Sequence, residues 1–484
     1  MFKVIFAKEI LESINNFRFM VAFLIALTAI PLGFYANARE YQARYKDYQK
    51  TLQIYEESHK TIRDSERLGA AAFRPPSALS ILSAGVEYLL PSGIESEGGW
   101  LSSFGAQARF NNTRTLYSPQ LYLYGALDLT FIVSIVISLL AMLLTYSSVA
   151  GEKEQGTLSL VLSNAVPRST VIAAKMLANG VLLNLAFILG VLIGVVVLLA
   201  MGLDVPTGSG FVIRFVFGIA VSVLYVFVLS NFGILVSSLN KRAISAIVSL
   251  MFCWAIFFMI FPKASVILAK IAMPVRSQRV VEMEKSQIRR QFEADEFAEL
   301  QKLRKTFAVV KDMSFQEFMI KLRDNDKDVL AFEKKQNEIK AYYGAKCSAE
   351  LASRDAFYEI QRINQAGLAR DISRFSPVSC YIHVMVESSN VGIVEYEQWK
   401  QTRSRFKQLL ESEIIDKIRK INFGNIGSSV FTGDEQAQMP IIEYLPVPFQ
   451  RTFIVVLPDL ILLLVYLILF FMGAFVSFIR YDAR

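Results

Sequence analysis

The chain has 484 residues, 53% of them hydrophobic, with a mean hydropathy of +0.39. That balance excludes an ordinary soluble domain, which carries more charge and fewer long apolar runs. The net charge of +8 comes largely from Lys and Arg placed beside apolar runs, so it does not read as a nucleic-acid surface.

In chain order, residues 1–18 are amphipathic. Phe2, Phe6, Ile10 and Ile14 recur every four residues, with Lys3, Lys8, Glu9 and Glu12 elsewhere. The pattern predicts a helix lying in a membrane interface. Phe19–Ala38 is uncharged and too long for a cleaved signal peptide, so it reads as a retained anchor. Tyr41, Tyr45, Tyr48, Leu52, Tyr55, His59 and Ile62 then step by fours and threes, which predicts a helical arm. Arg74-Pro75-Pro76 breaks it, and Leu79, Leu82, Val86 and Leu89 predict a second short helix. Pro91, Gly93, Gly98 and Gly99 end that helix and open a loop to about residue 120.

Five more runs are free of charge: Leu129–Ala150, Met176–Leu203, Phe215–Asn240, Ala243–Pro262 and Leu460–Ile479. A bilayer core takes about 20 apolar residues per helix, so six spans are expected. Asp128, Arg214 and Asp459 sit at span ends and read as interface anchors. Asn179, Asn184 and Asn231 predict hydrogen bonds between spans. Lys3, Lys8, Arg18, Lys153, Arg168, Lys175, Lys241, Arg242, Arg480 and Arg484 mark one side of the membrane. The positive-inside rule makes that side cytoplasmic, with both termini and both short connectors on it. Residues 39–128 and roughly 273–450 then face outward.

The second outward region carries more than half of the charged residues. Ile288, Phe292, Leu300, Leu303, Phe307 and Val310 are spaced for one helix face. Trp399, Phe406, Leu410, Ile414 and Ile418 are spaced for another. Around Tyr381 to Val394 the β-branched content rises and predicts a strand or two. A polar loop from Gly424 to Gly433 follows, and Pro440, Pro446 and Pro448 lead back to the membrane.

The fold class is therefore an all-α membrane protein with six transmembrane helices, an N-terminal interfacial helix and a mostly helical extracytoplasmic domain. The segments are 1–18, interfacial; 19–38, first span; 39–128, first outward region; 129–262, four spans with an amphipathic connector at 151–169; 263–450, second outward domain; and 451–484, last span and tail. Cys253 lies in the fifth span. Cys347 and Cys380 lie in the second outward domain and can be either a disulfide or two thiols.

No catalytic constellation is present. Gly151-x4-Gly156-Thr157 has the outline of a P-loop but lacks its Lys, so the chain binds no nucleotide there. His59 and His383 are the two histidines, and neither sits in a zinc-protease motif. Cys380, His383 and Glu387 are too few for a zinc site. In the connector, Glu152, Lys153 and Glu154 keep the chain at the water surface and Gly156 permits a turn. Leu158, Leu160, Val161 and Leu162 supply an apolar face suited to a partner's groove.

The run from Tyr146 to Ser169 resembles the coupling segment of type-2 ABC exporter membrane subunits. It carries Gly151-Glu152, then Glu154-x-Gly156-Thr157-Leu158, then a Leu-rich turn and Pro167-Arg168. Arg74–Ser80, Arg374–Pro377 and the tail Phe478–Arg484 are similar to NosY-like permeases with enlarged extracytoplasmic domains; Ala483 departs from the usual larger aliphatic residue. The resemblance implies a non-catalytic, multi-pass permease in a bacterial inner membrane. It implies a cytoplasmic ABC ATPase dimer that binds ATP and Mg, a second permease subunit, and lipid, with no nucleic acid. It assigns ATPase coupling to Gly151, Glu152, Glu154, Gly156, Thr157, Leu158, Leu160, Leu162 and Arg168. Export is the expected function. The alternative is relay of ATP-driven motion to a periplasmic partner without moving a solute.

Overall fold

Arg18 is followed by an apolar run with Pro31 as its single helix-breaking residue, and the computed structural model carries it as one helix well past the bilayer length. The structure describes residues 2–61, 71–87, 93–97, 109–113, 127–163, 166–202, 209–307, 310, 313–324, 326–420 and 442–481. Ile62, Leu89, Pro91, Gly98, Gly99, the Gly424–Gly433 loop, Pro440 and Ala483 lie outside them.

Helices α1 (Phe2–Ile14) and α2 (Phe17–Thr61) open the chain. Helix α3 comprises Leu129–Phe131, a π-helical stretch Ile132–Ile137 and Ser138–Thr145. Two short helices, α4 (Ala150–Glu154) and α5 (Thr157–Ser163), precede α6 (Arg168–Ala200) and α7 (Ser209–Leu239). Helix α8 runs Ala243–Ala255, passes through a π-helical Ile256–Ile260 and continues as Phe261–Ala272. Then come α9 (Gln278–Thr306), α10 (Phe315–Arg323), α11 (Lys327–Ser373), α12 (Pro377–Ser388), α13 (Ile393–Lys420) and α14 (Phe449–Ile479).

Among the described residues, five helices are long and apolar enough to cross a membrane: Phe17–Ile54, Leu129–Glu154, Arg168–Ala200, Gly210–Leu239 and Phe449–Ile479. The remaining expected span begins as a shorter apolar helix, Ala243–Ala255, before its π turn. A π turn frees carbonyls from the helical ladder. The Ser376 hydroxyl donates to Phe257 O at 2.8 Å, within that turn.

The spans pack through small residues. Cβ atoms at Gly190 and Gly194 of α6 would fall 2.8 Å from Ile30 and 2.6 Å from Phe34, so this four-residue glycine repeat lets α2 lie against α6. The core there joins Ala26, Ile30, Phe34 and Phe187 with Tyr225 and Tyr381, whose rings stack at 4.3 Å.

The spans and long helices are all α. The strands among the described residues form one small sheet in the order β3-β2-β1-β4, with β1 Ala71–Phe73, β2 Gly93–Glu97, β3 Arg109–Thr113 and β4 Ile442–Glu443. Phe73 pairs antiparallel with Gly93 and parallel with Glu443. Part of the expected loop before residue 120 is thus strand. The second short helix is a single 3-10 turn, Ala78–Ile81.

The strand expected around Tyr381 is helix α12. Its Cys380, Tyr381, Val384, Met385 and Ser388 are buried along one face, but Ile382 and Val386 add β-branched apolar residues off that face, which hid the helical period. Pro377 opens the helix at its first turn, where the missing N–H is harmless.

Two compact units result. One holds residues 1–262, 373–416 and 435–484; the other holds 263–372 and 417–434. In the second unit α9 and α11 run antiparallel. Gln365 donates to Met273 O at 2.6 Å, Lys285 pairs with Asp355 at 3.0 Å, and the Phe307 and Phe332 rings meet at 5.6 Å. Ser314 and Glu317 close a capping box at the start of α10.

Cys347 and Cys380 form no disulfide. The Cys380 thiol is buried and donates to Arg374 O at 3.4 Å, while Cys347 lies half-buried on α11.

Candidate functional site

The connector between α3 and α6 forms two short helices because Gly156 takes φ +74, a left-handed conformation that costs glycine little. Gly151 sits in α4, its N–H bonded to Ser147 O at 3.0 Å. Thr157 opens α5, and its hydroxyl reaches back to Glu152 O at 3.4 Å. Leu158 is 1% exposed and packs with Val149, Val171, Ile172, Met176, Ile234, Ala474 and Phe478. Val161 and Leu162 lie half-buried on the same cluster. Leu160, by contrast, is 68% exposed. The expected leucine face is therefore split: most of it anchors α5 to its own bundle, and Leu160 points outward beside exposed Thr157, Ser159 and Ser163.

Glu152 and Lys153 of the connector are half-buried, while Glu154 is exposed. Lys175, 2% exposed on the second turn of α6, places its ammonium 2.7 Å from Glu152 and 2.9 Å from Glu9 of α1. The sequence gives Lys175 no role beyond marking a membrane side, and it does not pair Glu9 with Glu152. An ammonium buried between two carboxylates is held in place, because removing any partner strands a charge. Glu154 accepts the N–H of Ala243 at 2.9 Å, so a carboxylate caps the N-terminus of α8. The Lys153 ammonium donates to Ser238 O and lies 4.6 Å above the Tyr481 ring.

Arg168 opens α6 and donates to Ile479 O at 3.0 Å and Tyr481 O at 2.8 Å, which clamps the end of α14. The Ser237 hydroxyl accepts the N–H groups of Val149 and Ala150 and donates to Tyr146 O. At one end of the bundle, then, the connector touches α1, α6, α7, α8 and α14, and both terminal segments meet there. Gly151, Glu152, Glu154, Gly156, Thr157, Leu158, Leu160, Leu162 and Arg168 are all gathered in this hub. Lys175, Glu9, Lys153 and Ser237 complete it. The one sequence signal for Lys175 was a Lys just before an uncharged run.

The opposite end holds a second polar set. Asp128, Arg214 and Asp459 are buried rather than snorkelling. The Asp128 carboxylate accepts Ala84 N–H at 2.8 Å and Phe131 N–H at 2.7 Å. Burial pushes its pKa up to about 6, although both backbone hydrogen bonds pull it down. Arg214 donates to Ser388 O, Val447 O and Thr452 Oγ1. Asp459, 0% exposed, takes a bidentate pair from Arg374 at 2.7 and 3.3 Å. Nearby, Glu87 pairs with Arg74 at 2.8 Å and with Arg44 at 3.6 Å. Burial opposes the charge on Arg74, yet Glu87 and then Glu395 hold its pKa above the usual value.

Of the asparagines, Asn179 bonds Ser148, in the turn between α3 and α4, at 3.3 Å, while Asn184 turns back to Gly180 O of its own helix. Among the described residues no group of three His, Cys, Asp or Glu could hold a metal. Glu387 instead caps α13 by accepting the N–H groups of Ile393 and Val394.

A multi-pass helical membrane protein with an amphipathic two-helix connector at one bundle end is the class that fold and site define. The chain belongs to a family within that class: the model of the ABC-2 family transporter proteins matches residues 3–483, nearly its whole length. It is thus a permease subunit of an ABC transporter, and this family is generally the non-catalytic membrane component that works with an ABC ATPase. No curated protein matches the chain.

Proposed function

We propose that the chain is the permease of an ATP-driven exporter, and that α4 and α5 receive the movement of a separate cytoplasmic ATPase. The observation that carries this is the split of α5: Leu158 anchors it in the bundle while Leu160 is presented to solvent. An exposed leucine on a short, firmly seated helix suits insertion into a partner's cleft. The Lys175 triad and the Arg168 clamp would pass the resulting push to α1, α6 and α14 rather than let the connector swing alone.

In this reading the hub end, with both termini, faces the cytoplasm of a bacterial inner membrane, and the α9–α11 helix pair lies on the periplasmic side. The basic residues collected at the hub support that orientation. ATP and Mg bind the partner, and two permease subunits assemble over an ATPase dimer. The NosY-like subgroup belongs to the same proposal.

Leu160→Glu tests it. The variant chain is expected to fold normally and to lose ATPase association and permease-dependent ATP turnover in the purified complex. Unchanged assembly and turnover would sink the coupling assignment.

A further inference from the structure

We infer that α14 is a strut that carries movement from the connector to the root of α11, and that Arg374–Asp459 is its far joint. The inference rests on the coupling reading above and adds where the movement goes.

The near joint is the Arg168 clamp on Ile479 and Tyr481, reinforced by Phe478 and Ala474 in the cluster that holds Leu158. The far joint lies twenty residues up the same helix. At 1.5 Å per residue that is about 30 Å, the depth of a bilayer core. Pro458, the proline inside α14, immediately precedes Asp459, so the stretch between the joints contains no proline.

Arg374 follows Ser373, the last residue of α11. Its guanidinium is fixed in direction by the bidentate pair with Asp459. The Tyr466 hydroxyl, two turns further along α14, donates to Arg374 O at 3.0 Å. His383 Nδ1 lies 3.4 Å from the same Asp459 oxygen. Side chain and backbone of Arg374 are thus both held by α14, so translation or tilt of that helix must move the residue that follows the end of α11. A buried ion pair adds little net stability over an apolar isostere, so its use here is geometric.

The test uses the whole chain with its ATPase in lipid nanodiscs. Amide hydrogen exchange along α11 is compared between nucleotide-free and ATP–vanadate states, with ATP turnover recorded alongside. Wild type is expected to show a nucleotide-dependent change in α11. Arg374→Gln is expected to keep turnover while that change shrinks about fivefold. Asp459→Asn, which keeps shape, and Tyr466→Phe, which removes one hydroxyl, test the same joint should Arg374→Gln fold poorly; both should reduce the change. A full α11 response in Asp459→Asn and Tyr466→Phe, or none in an active wild-type complex, overturns the strut and leaves the coupling reading intact. Failure of the chain to bind or stimulate the ATPase overturns both.

Discussion

The ammonium of Lys175 lies 2.7 Å from the carboxylate of Glu152, which ties the connector to the helix that follows it. Glu9 completes the arrangement from α1 at 2.9 Å. Two neighbouring segments and the distant α1 therefore share one buried charge.

Lys175→Met should be among the most destabilising single changes in the chain. It leaves Glu9 and Glu152 facing each other without a cation, at a cost of about 3–5 kcal/mol. Thermal unfolding in detergent should show the loss. Adding Glu9→Gln and Glu152→Gln to the same chain should recover most of it, because the stranded charges are then gone.

Leu158 and Leu160 should behave oppositely. Leu158→Ala opens a cavity among Val171, Ile172 and Phe478 and should cost about 3 kcal/mol. Leu160→Ala should change stability by less than about 0.5 kcal/mol, since the side chain is exposed. Denaturation midpoints of the two variants provide the comparison.

Gly156→Ala should cost about 1 kcal/mol, because φ +74 disfavours a side chain although nothing lies within 4 Å of its position. Gly156→Pro cannot adopt that angle at all. It should unseat Leu158, and a thiol placed there by Leu158→Cys should become reactive to a water-soluble alkylating reagent.

Asp128 should give the protein a measurable pH dependence. Its folded pKa of about 6 lies above the ordinary 3.8, so the folded state binds the proton more tightly. Its contribution to stability is then greatest below about pH 4 and falls as pH rises to about 6, by up to about 3 kcal/mol. Asp128→Asn should remove that slope. Stability profiles of both proteins between those limits decide the matter.

Much of the architecture was legible from single residues. The uncharged runs after Arg18, Asp128, Lys175 and Arg214 mark long helices because a bilayer demands apolar length. Gly156 marked the break between α4 and α5. The likeness from Tyr146 to Ser169 pointed to the family before any contact was known. The short strands at 71–73, 93–97 and 109–113 were not legible, since strands of three to five residues carry too few alternations to count. Helix α12 reads as a strand in sequence for a related reason: the β-branched Ile382 and Val386 lie off its buried face and blur the helical period.

The sequence by itself determined the membrane class, the order of spans and the presence of an amphipathic connector, because these depend on local length, charge and periodicity. Tertiary structure alone decided which leucine faces out, that Asp128, Arg214 and Asp459 are interior groups, and that Lys175 and Arg374 pair with carboxylates on other segments. Each of those outcomes depends on partners many residues away. A charged residue at a span end looks the same in sequence whether water or a buried counter-ion receives it.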